Sequence, residues 1–406
     1  MINSINTIEK LIAELCPSGV VSKKMWELTA WDKKFNGIER EQQKKVIKYP
    51  YVLAKNLKEL ERPLGTVKLL STGSYDGWTT EETAAKNLCE GEIVAIPWGG
   101  QANIKYYNGK FVTADNRIAS SLDTNILLNK FLYYWMLANI RLIESYYRGA
   151  GIKHPSMKKV LEMNVPIPPI PVQLQVVKIL DTFTELEAEL EAELEARERQ
   201  YAYYRAALLT FREDVKWVTL GDYIHFKNGK GHEKIIDENG KYIVVNSKFV
   251  STDGRVRKYS VEQISPVFEK DILMVMSDLP NGKALAKCFY VDKDNEYTLN
   301  QRICSLTTKN ESVLNSKYLF YVLDRNKQLL RFDNGSDQTN LRKDDILKIQ
   351  VPVPEITQQN RIVSILDKFD ALVNDISIGL PAEIKARRQQ YEYYCGKLLT
   401  FKEYAK

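Results

Sequence analysis

The sequence predicts an α+β chain: two mixed α/β modules separated by two long antiparallel helical (coiled-coil) spacers, related by a pseudo-two-fold repeat. Three observations lead there. The stretch from Val165 to Phe211 is written a second time from Val351 to Phe401. The first copy holds an amphipathic pattern, with Val176, Ile179, Leu180, Phe183, Leu186, Leu190 and Leu194 at the three-and-four spacing of one helical face. The segments between the copies mix short β-rich runs with turns.

The amino end reads as a short helix over residues 7–15, broken by Cys16-Pro17-Ser18-Gly19. A similar transition, from Leu208-Leu209-Thr210-Phe211 to Val215-Lys216-Trp217, follows the first long helix. Residues 1–19 therefore stand in for the helix end that precedes a module and complete a circular repeat. The modules follow as 20–164 and 215–350, with spacers at 165–214 and 351–406. Both modules carry strand-like runs, such as Glu92 to Ile96 in the first and Lys241 to Val245 in the second. Each then has an aromatic helix, Lys130-Phe131-Leu132-Tyr133-Tyr134 against Lys317-Tyr318-Leu319-Phe320-Tyr321. Their remaining loops diverge, so a shared scaffold carries different surfaces.

The spacers match closely. Val165-Pro166-Ile167-Pro168 returns as Val351-Pro352-Val353-Pro354, and Ile179-Leu180-Asp181 as Ile365-Leu366-Asp367. Tyr201, Tyr203, Tyr204 and the Leu208–Phe211 end return as Tyr391, Tyr393, Tyr394 and Leu398 to Phe401. Four extra residues in the second copy fall at Gly379-Leu380-Pro381, where glycine closes one helix and proline opens the next. Glu185 to Ala196 repeats Glu-Leu-Glu-Ala, and four residues turn about 40° beyond one helical turn, so the leucine stripe winds around the helix and needs a partner helix. From Gln173 to Phe211 the first helix should run roughly 58 Å.

Composition bounds the function. A chain of 406 residues holds two or more domains, and no run of 18 apolar residues could cross a membrane. The start lacks the charged and apolar regions of a signal peptide, and the five scattered cysteines read as buried thiols, which together imply the cytoplasm. The net charge is +6, but Gln173 to Phe211 carries −4, leaving +10 on the rest. The helix is an acidic spacer between basic modules.

Catalytic signatures are absent from the sequence: no glycine-rich phosphate loop and no metal-ligand spacing of histidine with cysteine or carboxylate. Asp237-Glu238-Asn239-Gly240-Lys241 reads as a turn before a strand. Basic residues interleaved with aromatic and amide side chains fit nucleic acid better, since lysine neutralises phosphate while Arg, Asn and Gln pair with base edges. In the first module the candidates are Lys44, Lys45, Trp78, Thr79, Thr80, Gln101 and Arg117, with Lys153, His154, Ser156 and Lys158 on a loop ahead of a helix. In the second they are Lys230, Arg255, Arg257, Lys258 and Arg302, with Ser336, Gln338, Thr339, Asn340, Arg342 and Lys343 on the equivalent loop. Arg117 and Arg302 occupy equivalent places, where a framework ion pair competes with a base contact. The tyrosines at i, i+2 and i+3 point around their helix, so some fill the helix interface and some face outward.

The duplicated exits, the Ile-Leu-Asp helices, the Glu-Leu-Glu-Ala repeats and the Tyr-x-Tyr-Tyr to Leu-Leu-Thr-Phe ends resemble the specificity (S) subunit of type I DNA restriction–modification enzymes. The resemblance covers the whole chain. It implies a non-catalytic subunit whose two target-recognition domains read the halves of a bipartite, asymmetric site in double-stranded DNA. The spacers would set the gap and dock two methyltransferase (M) subunits, with restriction (R) subunits completing the complex. S-adenosylmethionine, ATP and magnesium would belong to those partners, with no cofactor or metal in this chain. The resemblance makes Tyr201, Tyr203, Tyr204, Leu208, Phe211, Tyr391, Tyr393, Tyr394, Leu398 and Phe401 candidate partner-binding residues. A rival reading is a coiled-coil adaptor whose modules bind proteins.

Overall fold

The computed structural model describes residues 2–43, 45–211, 215–279, 283–333, 335–375 and 378–404. The chain forms two compact units. One comprises Met1–Glu191 with Glu383–Lys406, the other Ala192–Ala382.

The first unit is built on a six-stranded sheet. Its strands run in the order Thr29–Trp31, Asn116–Ser121, Cys89–Pro97, Lys105–Thr113, Val67–Leu70 and Asp76–Thr79. All neighbours are antiparallel except Val67–Leu70 against Lys105–Thr113. One core joins this sheet to the aromatic helix Asn129–Ala138 and to the spacer, with Phe131, Tyr134, Val176, Leu180 and Phe183 all buried. The second unit has two larger sheets in place of one. Ile224–Asn228, Ile303–Thr308, Ile272–Val275 and Cys288–Tyr290 form one, and Tyr259–Ser260, Tyr242–Val245 and Tyr297–Leu299 the other. The modules thus share strands, aromatic helix and exit but not sheet layout. Asp237 makes the expected turn, its side chain and carbonyl accepting from Asn239 N–H and Gly240 N–H.

Each module is closed by its own ends. Ser22–Lys24 pairs antiparallel with Asn164–Pro166, and Trp217–Thr219 with Gln350–Pro352. The duplicated Val-Pro motifs are these exit strands. The first long helix then runs from Ile170 to Leu208, 39 residues. It begins three residues earlier than the apolar pattern implies because Pro171 sits in its first turn, where a missing N–H costs nothing. It also ends three residues earlier. In the second copy, helices span Ile356–Asn374 and Leu380–Leu398, with Gly379 between them as expected.

The long helix pairs antiparallel within each unit. In the first, Phe183 packs on Tyr391 and Tyr394, while the Arg388 guanidinium reaches Glu187 and Glu191, each at 2.5 Å. In the second, Tyr201 and Tyr204 stack on Phe369. The circular closure is also present in the first unit. The amino-terminal helix, Ile2–Leu15, is longer than expected, Val20 N–H donates to Lys402 O, and Tyr404 N–H donates to Val20 O.

A glutamine locks each exit to its module. Gln173 Oε1 accepts from Leu128 N–H at 2.9 Å, and its Nε2 donates to Ile126 O and Pro168 O at 2.8 Å. Gln359 repeats this with Asn315 N–H, Val313 O and Pro354 O. One turn-pair further along, Asp181 accepts from Tyr134 Oη at 2.6 Å and Asp367 from Tyr321 Oη at 2.5 Å. Lys130 and Lys317 pair with the same carboxylates, at 2.8 and 3.8 Å. Repeated sequence here means repeated bonding.

Candidate nucleic-acid interface

In the first module, three segments meet at one rim. The hairpin of Tyr147–Arg148 with His154–Pro155 leans on the Trp98–Gln101 loop. Gly100 N–H donates to Lys153 O, and His154 Nδ1 lies 2.7 Å from Trp98 O. Gly99 permits this approach, since a Cβ there would lie 2.8 Å from Ile152 Cγ2. Asn103 Nδ2 donates to Gly73 O, and Lys105 Nζ bonds Ser71 O and Asp76, which adds the Ser71–Tyr75 turn. Lys153, His154, Gln101 and Lys158 are exposed on this rim, and Ser156 is half-buried as the residue capping the next helix. Asn103 and Lys105 were not singled out from sequence; their role depends on which strand the turn faces.

Behind the rim lies a stacked support. The Arg117 guanidinium sits 4.0 Å from the Trp98 ring and bonds Asp115 Oδ1 at 2.9 Å, and Lys33 bonds the same carboxylate. Burial works to raise the Asp115 pKa, but the hydrogen bonds from Arg117 and Lys33 outweigh it and hold the carboxyl below its ordinary value.

Several candidates are corrected by burial. Arg117 is 5% exposed and belongs to the framework, whereas Arg302, its counterpart, is exposed. Thr79 is fully buried, its hydroxyl donating to Leu60 O, and Thr80 caps a short helix by accepting from Thr83 N–H. Thr79 is closed to DNA, and half-buried Thr80 has its hydroxyl engaged with Thr83. Trp78 remains 43% exposed, with Lys68 Nζ 4.6 Å from its ring. Lys45 is exposed, and Lys44 lies outside the described residues.

The second module builds its rim from a different pairing, Ser277–Asp278 against Thr339–Asn340. Gln338 Nε2 donates to Ser277 Oγ at 2.7 Å, which aims the loop, while Asn340 stays exposed. Met276 N–H donates to Arg302 O and Leu341 N–H to Met276 O, so Arg302 stands beside this pair. Lys230 is exposed on a loop where its N–H donates to Leu299 O, and Gln301 Nε2 donates to Glu233, holding that carboxylate below its ordinary pKa. Thr339 is buried and drops out. Arg342 N–H caps onto Asp345, leaving its guanidinium exposed, while Lys343 Nζ lies 5.5 Å from the Phe226 ring. Ser336 is exposed on the incoming loop. Arg255 and Arg257 brace their own turn, each Nε donating to a local carbonyl, with Lys258 exposed beside them.

The spacer tyrosines divide alike at the first two positions of each copy and differ at the third. Tyr203 and Tyr393, the middle members, are 69% and 65% exposed. Tyr201 stacks inward on Phe369, Tyr391 and Tyr394 pack inward on Phe183, and Tyr204 is exposed at the edge of its stack. Leu398 is buried, Leu208 is half-buried in the core, Phe401 packs on Phe131, and Phe211 on Tyr318. Leu398 is thus core, and the other three pack half-buried against the core. Among the described residues no cluster of histidine, cysteine and carboxylate could hold a metal ion, and no helix is long and apolar enough to cross a membrane.

Comparison with known proteins agrees with this architecture. Residues 20–196 and 212–386 each match the type I restriction modification DNA specificity domain. The EcoR124I/EcoR124II specificity subunit of Escherichia coli is 34% identical over 308 residues, covering 70% of this chain and 74% of that one. The MjaVIII specificity subunit of the archaeon Methanocaldococcus jannaschii is 20% identical over 312 residues, 70% and 73% of the two chains. The crystal structure of the S subunit from M. genitalium shares the fold, with a TM-score of 0.62 at 18% identity over 94% of this chain and 96% of that one. A chain from a structural study of type I restriction–modification assembly gives 0.53 at 13% identity, covering 94% and 97%. The two repeated halves, each a specificity domain with its helical exit, place the chain in the family of type I restriction–modification DNA specificity subunits.

Proposed function

We propose that this chain is the non-catalytic, sequence-reading subunit of a type I restriction–modification complex in a bacterial or archaeal cytoplasm. Each recognition domain reads one half of a bipartite, asymmetric target in duplex DNA. The paired spacer helices set the gap and dock two methyltransferase subunits, with restriction subunits joining the full complex. S-adenosylmethionine, ATP and magnesium act in those partners. One observation carries the reading: bonding repeats residue for residue at the exits, while the exposed rims differ completely. Two different surfaces on one repeated scaffold suit two different half-sites.

The rims that remain after burial supply the contacts. Lys45, Lys153 and Lys158 in the first domain and Lys230 and Lys343 in the second suit phosphate, which positions without specifying. Gln101, His154, Arg302, Gln338, Asn340 and Arg342 suit base edges. Tyr203, Tyr204 and Tyr393 are exposed aromatics of the spacer and suit a protein partner, where such residues concentrate. The test is co-expression with the methyltransferase subunit and mapping of methylated bases in the host genome. A single gapped, asymmetric motif is expected. With an active methyltransferase confirmed, an absence of new methylation overturns the proposal.

A further inference from the structure

Among the exposed rim residues, one side chain has its hydrogen-bonding character fixed by the fold. His154 Nδ1 lies 2.7 Å from Trp98 O. A carbonyl oxygen only accepts, so Nδ1 carries the proton. In neutral imidazole the other nitrogen is then a bare acceptor. His154 is exposed, and among the described residues Nε2 has no protein partner. The ring cannot turn over to exchange its nitrogens without losing that bond. Trp98, which holds it at a ring distance of 5.0 Å, is itself held by the buried Arg117. The neighbouring backbone is fixed too, by Gly100 N–H on Lys153 O and by the pairing of His154 with Arg148.

In the major groove the only donors that bases offer are the exocyclic amino groups, N6 of adenine and N4 of cytosine. Guanine N7 and O6 and thymine O4 only accept. An asparagine or glutamine can rotate its amide to suit either kind of edge. His154, wired to Trp98, cannot. We propose that His154 Nε2 accepts from one exocyclic amino group in the half-site read by the first domain, so that it selects adenine or cytosine on the strand it faces. This rests on the DNA-reading function proposed above and adds the atom and the base group.

The test begins with the wild-type motif mapped by co-expression. Duplexes carrying that motif are then made with one amino group deleted at a time, purine replacing adenine or 2-pyrimidinone replacing cytosine. Binding by the complete methyltransferase–specificity complex is measured at pH 8. One deletion in one half-site should weaken wild-type binding roughly 3- to 10-fold, the worth of a single hydrogen bond. In His154→Ala the same deletion should cost nothing further, while the other half-site is read as before, which shows the complex intact. If no single amino deletion weakens the wild type, the inference is overturned without recourse to any variant. It is equally overturned if every deletion costs the same in His154→Ala as in the wild type. Absence of any wild-type motif instead overturns the DNA-reading function, and this assignment falls with it.

Discussion

Replacing Gln173 or Gln359 with leucine tests the repeated lock directly. Both side chains are fully buried. Leucine nearly preserves the volume but orphans three backbone groups at each site: an N–H and two carbonyls, at Leu128, Ile126 and Pro168 or at Asn315, Val313 and Pro354. Each buried unsatisfied group costs about 1–3 kcal/mol. The apolar gain of leucine offsets a small part, so a loss of about 3–6 kcal/mol is expected at either site. That is a large share of the roughly 5–15 kcal/mol by which a domain is stable. Urea unfolding gives the value for the first unit, because five of the six tryptophans belong to it and fluorescence reports it selectively. Hydrogen exchange read by mass spectrometry gives the value for the second. Gln173→Leu should raise exchange in residues 126–128 and leave 313–315 unchanged; Gln359→Leu should do the reverse. A loss below 1 kcal/mol in either variant would refute the claim that these amides tie spacer to module.

Three further outcomes follow from the same architecture. Deleting one Glu-Leu-Glu-Ala unit removes about 6 Å of helix, close to two base-pair rises, so the mapped motif should keep both halves and lose about two positions of gap; an unchanged gap refutes the spacer's role as ruler. Exchanging residues 215–350 for another such module should alter one half-site only, and altered methylation of both halves would contradict independent reading. His232 is buried between Lys230 O and the Thr298 hydroxyl, and burial holds its pKa below the ordinary value. The folded state therefore prefers the neutral ring while the unfolded chain takes up a proton, so stability should fall as pH drops below about 6.5. His232→Gln should flatten that slope in urea midpoints between pH 7.5 and 5.5; an equal slope in the variant refutes the assignment.

The duplicated exits were legible because identical residues recur in an otherwise divergent chain, and the glycine break at Gly379 was legible from local backbone chemistry. Gln173 and Gln359 sat inside the repeat, but a polar residue on a helix reads as solvated until the carbonyls it meets are known. The same limit explains Arg117 and Arg302. Their sequence neighbourhoods match, yet only Arg117 has Trp98 and Asp115 placed to receive it; Asp115 is its near neighbour in the chain, but Trp98 comes from the loop after a different strand. Thr79 and Thr339 look like exposed loop residues in sequence and are buried because short strands turn them inward. The tyrosine triads were read correctly as mixed, but which member faces outward depends on how far the helix has turned by that point. Local signals set the elements; the chemistry of the rims is decided by long-range pairing that no local signal carries.

The pairing of each module's first strand with its last has an evolutionary consequence. Everything between Lys24 and Asn164 begins and ends at one ladder rung, and the same holds between Thr219 and Gln350. New sequence inserted between such rungs meets the same clip whatever it folds into. Because the stretches coding for the exits resemble each other, homologous exchange there would transplant a whole reading head in frame, leaving the spacer and its Gln173 or Gln359 in place to bond the backbone of the incoming module. Variety can thus accumulate by shuffling rather than by point mutation, with the rung pair as the splice that keeps each product foldable.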